Sequence, residues 1–138
     1  MKLPEIPRDR EIFETELATY WWADEGFLVS NSKSILRTVD NLNANSEVIK
    51  QITNNTPAPL LIYLADSPMP DKPARELSNI LLPQNYSCMA MISKPGLGAF
   101  IMKLLFSIKK SPIPLKTFTE EQEAIDWLLA EMKKRQNA

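Results

Sequence analysis

The sequence predicts an α/β domain on a mixed, mostly parallel sheet, with elements in the order β-β-α-β-α-β-α-β-α and an antiparallel hairpin at the N-terminus. Three observations lead there. The first apolar stretches alternate at period two and meet at a glycine turn, the pattern of a hairpin. From Val39 onward, segments with helical spacing alternate with short apolar runs, as parallel strands alternate with crossover helices. The length of 138 residues fits one domain of roughly 100–200 residues, taken here as 1–138 with its ordered core at about 11–132.

Glu11 to Trp22 reads as the first strand, with Phe13, Thr15, Leu17, Thr19 and Trp21 on one face and Ala18, Tyr20 and Trp22 on the other. Ala23-Asp24-Glu25-Gly26 turns the chain, and Phe27 to Ser30 returns as the second strand. Val39 to Thr53 takes a helical period: Val39, Leu42, Ser46, Ile49 and Ile52 share a face, while Asn43, Asn45, Glu47 and Lys50 point away. The tract Asn54 to Pro59 ends that helix, because proline restricts the residue before it and has no N–H to donate.

Leu60 to Ala65 is a continuous apolar run between breakers, the mark of a strand buried on both faces. Asp66 to Pro73 forms a stiff loop in which Asp71 caps a short helix from Pro73 to about Leu81, stopped by Pro83. Tyr86 to Ile92 is the fourth strand, and Ser93-Lys94-Pro95-Gly96 leads into a helix from about Leu97 to Lys109. Ile113 to Phe118 is the fifth strand. The capping box Thr119-Glu120-Glu121-Gln122 then opens a last helix whose apolar face is Ile125, Leu128, Leu129 and Met132. Lys133-Lys134-Arg135 complement the dipole at its end.

Composition removes whole classes of function. Sixteen basic against 17 acidic residues give a net charge of -1, which excludes a nucleic-acid partner held by charge. With no histidine there is no His-based metal site, Ser-His-Asp triad or Cys-His pair, and neither a metal nor a cofactor is expected. Cys88 is the one cysteine, so no disulfide closes within the chain, and at mid-strand it reads as buried and inert. The N-terminus carries no apolar signal stretch, and the most apolar run, Leu97 to Phe106, is half the ~20 residues that span a bilayer. A cytoplasmic protein without a membrane span is expected.

Several stretches carry a family resemblance: Leu60-Leu61-Ile62-Tyr63-Leu64-Ala65-Asp66, Ala90-Met91-Ile92-Ser93-Lys94-Pro95-Gly96, and Pro114-Leu115-Lys116-Thr117-Phe118-Thr119 running on into Glu123-Ala124-Ile125-Asp126-Trp127-Leu128. In these the chain, from about Phe13 to Leu129, resembles the STAS-like group, the anti-sigma-factor-antagonist fold that is also similar to CRAL-TRIO lipid-binding domains, and within it a small bacterial branch. The resemblance implies a non-catalytic module that binds a protein partner or a small ligand. It also implies a place for a serine switched by phosphorylation, in an Asp-Ser-Ser/Thr-Gly loop after a central strand. Asp66-Ser67 holds that place here, with Pro68 and Pro70 where the family has a small residue and a glycine.

Three candidate sites follow. Ser67 is a candidate phosphoacceptor, or else a loop serine that bonds nearby backbone. Ser93, Lys94, Gly96 and Gly98 are a candidate anion site at a helix start, or else an ordinary strand-to-helix turn. Leu97, Phe100, Ile101, Leu104, Leu105 and Ile108 make an apolar face richer than packing on one sheet requires. That excess points to a contact with a second copy of the chain, symmetric dimers being the commonest oligomers, or to the wall of a cavity for an apolar or amphipathic small molecule. The expected function is thus a homodimeric regulatory or interaction module, with a carrier or sensor and a serine switch as the alternatives. A dimer contact should leave no internal cavity behind Leu97 to Ile108, whereas a carrier should have one.

Overall fold

The computed structural model describes residues 3–106 and 111–136, with backbone alone at 102–106. Among the described residues six strands form one sheet: β1 (Phe13–Glu14), β2 (Ala18–Trp22), β3 (Leu28–Ser32), β4 (Ala58–Tyr63), β5 (Tyr86–Ile92) and β6 (Leu115–Phe118). They lie side by side in chain order. The first three pair antiparallel and the rest pair parallel. Helices α1 (Val39–Ile52), α2 (Lys72–Asn85) and α3 (Leu97–Phe106) make the crossovers, and α4 (Glu121–Gln136) follows the last strand.

Strand order decides where the helices go. Right-handed crossovers that all step the same way along a sheet deliver their helices to one face. Accordingly α1 packs on α2 and α2 on α3, over a core that includes Tyr20, Leu28, Ile49, Leu60 and Met91. The opposite face takes α4, which covers β4, β5 and β6 above Trp21, Val29, Leu61, Cys88 and Leu128. The strand expected to be buried on both sides is so: Leu60 belongs to one core and Leu61 to the other, at 1% and 2% exposure.

The expected first strand divides in two. The chain folds back after Glu14, and β1 lies antiparallel to β2 with Phe13 opposite Tyr20. Thr15 drives the reversal: its Oγ1 accepts from the N–H groups of Leu17 and Ala18, each at 3.1 Å. Such a hydroxyl-backed turn competes directly with extended backbone. It also reverses the alternation, so Phe13 shares the helix-covered core with Tyr20 while Trp21 faces α4.

Two helices depart from expectation. Asp71 caps α2 as foreseen, accepting from the Ala74 N–H at 3.0 Å, but the helix runs through Pro83 to Asn85. A proline so near the end forfeits a bond only in the last turn, so it bends the expected rule without stopping the helix. In α1 the cap is reciprocal, Thr38 with Asn41, and Asn45 turns inward to accept from Thr15 and Tyr20 rather than pointing away. The predicted end of α3, at 107–109, lies outside the described residues. β6 begins at Leu115 rather than Ile113, although Ile113 remains buried in the helix-covered core. Among the described residues no helix is long and apolar enough to cross a membrane.

Candidate functional site

Because β3, β4 and β5 run parallel, their carboxyl ends reach one edge of the sheet, where the chain must leave before turning into a helix. The loops that leave this edge can wall an opening. Here the opening is a cavity of about 470 Å³, within the roughly 300–1,000 Å³ of small-molecule sites. Ile62 of β4, Leu64 just beyond it and Met91 of β5 form its floor, with Leu42 of α1 on one side and Leu97, Phe100 and Ile101 of α3 on the other. The loop after β4 supplies the remaining wall through Ala65, Ser67 and Met69, stiffened by Pro68 and Pro70. Two side chains at the mouth are largely open to water, Met69 at 57% and Phe100 at 53% exposure.

Among the described residues one charged side chain lines this apolar space, Arg37. Its Nη1 donates to the carbonyls of Lys33 and Ile35 at 2.8 and 2.7 Å and to Ser67 Oγ at 3.0 Å, and Nη2 reaches the Leu17 carbonyl at 3.3 Å. Every one of these acceptors is neutral. Among the described residues no carboxylate pairs with it. Burial accordingly holds the guanidinium below its ordinary pKa.

Behind Arg37 a second, smaller cavity of about 150 Å³ shares Ser32, Arg37, Leu42, Ile62 and Ser78 with the first. Its inner end is polar. Tyr20 donates its hydroxyl to Asn45 Oδ1 at 3.1 Å, Tyr86 hydrogen-bonds to Tyr20, and Ser46 Oγ donates to Asn85 Oδ1 at 3.1 Å. Burial raises the pKa of both phenols, that of Tyr86 well above its usual value.

The crevice gathers two of the three sequence-derived candidates. Ser67 stands at its mouth against Arg37, and its own hydroxyl reaches the Ala65 carbonyl at 3.4 Å. Leu97, Phe100 and Ile101 line it. The side chains of Leu104 and Leu105, and all of Ile108, lie outside the described residues. The third candidate is elsewhere: Ser93, Lys94, Gly96 and Gly98 border a separate depression of about 320 Å³ with Lys116 and Thr117. Lys94 is paired with Asp66, which gives its charge a partner already. Gly98 has a packing reason to be glycine, since a Cβ there would stand 2.9 Å from both Ser93 Oγ and Thr117 Cβ.

Sequence reasoning missed Arg37. A signal was present: Arg37 immediately precedes the N-cap Thr38, where a cation opposes the helix dipole and calls for another explanation. The α4 side of the sheet has a further depression, between Leu3 to Glu5 and the strands, of about 430 Å³. Its floor offers little apolar surface, because Trp21, Phe27 and Leu61 are already buried.

Comparison with known proteins bears out the STAS-like fold. One similar solved structure is an uncharacterized protein of the DUF3478 family with a SpoIIAA-like fold, from Shewanella loihica PV-4; the likeness covers 91% of this chain and 99% of that one, with a TM-score of 0.58 and 15% identity. At that identity the likeness concerns the fold. No curated protein matches the chain. A family model described as Domain of unknown function (DUF7793) matches residues 20–131, and the chain belongs to that family.

Proposed function

We propose that this domain is a non-catalytic binding module of the cytoplasm that carries or senses an apolar or amphipathic small molecule in the crevice at the carboxyl ends of β3, β4 and β5. The observation that carries this is the crevice itself, a space of about 470 Å³ walled by Leu97, Phe100 and Ile101, the cavity that a carrier requires. Among the described residues Arg37 is the one titratable group on its wall, and a protonated guanidinium beside serine hydroxyls gives no acid–base pair to move a proton. Native mass spectrometry of the protein from its own host, beside a denatured sample, tests this. A non-covalent adduct lost on denaturation is the expected result, and an environment-sensitive apolar dye should bind the emptied protein but not an Ile101→Trp variant that fills the crevice. A protein that carries no adduct and binds no dye would overturn the proposal.

A homodimeric interaction module is the second reading, favoured by the exposure of Phe100 and Met69 at the crevice mouth. Two copies meeting there would bury both side chains and close the crevice. The same mass spectrum tests it: a mass twice that of the chain, lost in a Phe100→Glu variant that stays folded, is its expected signature. A monomer at all concentrations removes it.

A further inference from the structure

We propose that the crevice selects a single-chain amphiphile with a carboxylate head, and that Arg37 is the residue that reads the head; this rests on the crevice being the ligand site. Arg37 lines both the apolar crevice and the smaller cavity behind it, so it stands where the apolar space gives way to a polar one. A neutral apolar ligand would strip water from this cation and return nothing. A dianionic head would bring more charge than one guanidinium neutralises. One carboxylate matches in charge and in shape.

The donors left over fit that head. Nη1 is crowded by three acceptors, Lys33 O, Ile35 O and Ser67 Oγ, and these bonds fix the plane of the group. Nη2 serves the Leu17 carbonyl, and among the described residues nothing accepts from Nε. The Nε–H and one of the two Nη2–H groups remain, two donors for the two oxygens of a carboxylate. The apolar space has room for on the order of a dozen groups of water or methylene size, which suits one chain of medium length.

The test is calorimetric titration of the full chain with decanoate and, separately, with decanol, which keeps the chain and removes the charge. The wild-type protein should bind the acid at least about tenfold more tightly than the alcohol, as a charge-assisted pair in an apolar site requires. Arg37→Met should bind both alike, and Arg37→Lys should recover part of the preference. Equal wild-type affinities for acid and alcohol would overturn the carboxylate inference while leaving the crevice a binding site. A preference that survives Arg37→Met would overturn the role of Arg37. Binding of neither compound would remove the crevice reading itself. Should Arg37→Met fail to fold, as near-ultraviolet circular dichroism would reveal, the wild-type comparison and Arg37→Lys decide.

Discussion

Arg37 and Ser67 meet at 3.0 Å across 30 residues of chain, guanidinium to hydroxyl, and this contact joins the segment before α1 to the loop after β4. Both walls of the crevice mouth are therefore held by one bond whose donor is charged and whose acceptor is not. The two partners are unequal in importance. Ser67 is exposed and contributes a single acceptor, whereas Arg37 also binds three backbone carbonyls from two segments.

Ser67→Ala should therefore cost no more than about 1 kcal/mol, and Arg37→Ala about 1–3 kcal/mol, in urea unfolding. Ser67→Asp should behave differently from both. It sets a carboxylate on the guanidinium, as phosphorylation of Ser67 would, and fills the place of an anionic head. Decanoate binding should fall while decanol binding holds. An Asp variant that binds decanoate as well as the wild type would show that the two anions do not share Arg37.

Asn45 is the second junction. Its Oδ1 accepts from Thr15 Oγ1 at 2.7 Å and from the Tyr20 hydroxyl at 3.1 Å, so it ties the β1–β2 turn and the sheet to α1. Asn45→Ala should lower stability by about 1–3 kcal/mol, because it deprives a buried phenol of its acceptor. The loss should be smaller in a Tyr20→Phe background, where no phenol is left to satisfy. A double-mutant cycle in urea measures that coupling, and strict additivity of the two substitutions would count against it.

How much of this was legible in the sequence follows from range. Leu97, Phe100 and Ile101 announce themselves by helical spacing, and Leu60 to Ala65 by a run of apolar residues between prolines, because those signals are local. The turn at Thr15 is local too, but a period-two pattern continues unbroken across it, and only the hydroxyl marks the reversal. The inward turn of Asn45 depends on Tyr20, 25 residues away, and the role of Arg37 depends on a loop 30 residues away. No spacing rule spans such distances. The sequential strand order is equally silent in the pattern, yet it is what gathers α1, α2 and α3 on one face and so encloses the crevice.

Gly98 offers a case in which two effects oppose each other. Alanine in place of a helical glycine gains about 1 kcal/mol from propensity alone. At Gly98 the new Cβ would lie 2.9 Å from Thr117 Cβ and 3.0 Å from its Cγ2, where β6 meets the start of α3. Overpacking of that kind costs about 1–3 kcal/mol, and the Thr117 Cβ cannot move without its strand, so the clash should win. Gly98→Ala should lower the urea midpoint with little change in slope. A rise in the midpoint would mean that α3 shifts freely on the sheet.

Alkaline titration reports on both cores at once. All three tyrosines of the chain, Tyr20, Tyr63 and Tyr86, are buried, and burial raises the pKa of each. Glu121 pushes Tyr63 up further, since the phenol donates to a carboxylate on α4, and Tyr86 is raised also by its contact with Tyr20. A phenol whose folded pKa exceeds its unfolded value of about 10 stabilises the fold fully below pH 10, and that stability is lost as pH rises above 10 toward the folded pKa. Tyrosinate absorbance should thus stay flat through pH 10 and then rise cooperatively, together with the loss of circular dichroism. A Tyr63→Phe variant should retain that cooperative step with a third less amplitude, one phenol of three having been removed. A gradual rise centred near pH 10 in the folded protein would show that at least one phenol is open to water, contrary to the buried positions described for β2, β4 and β5.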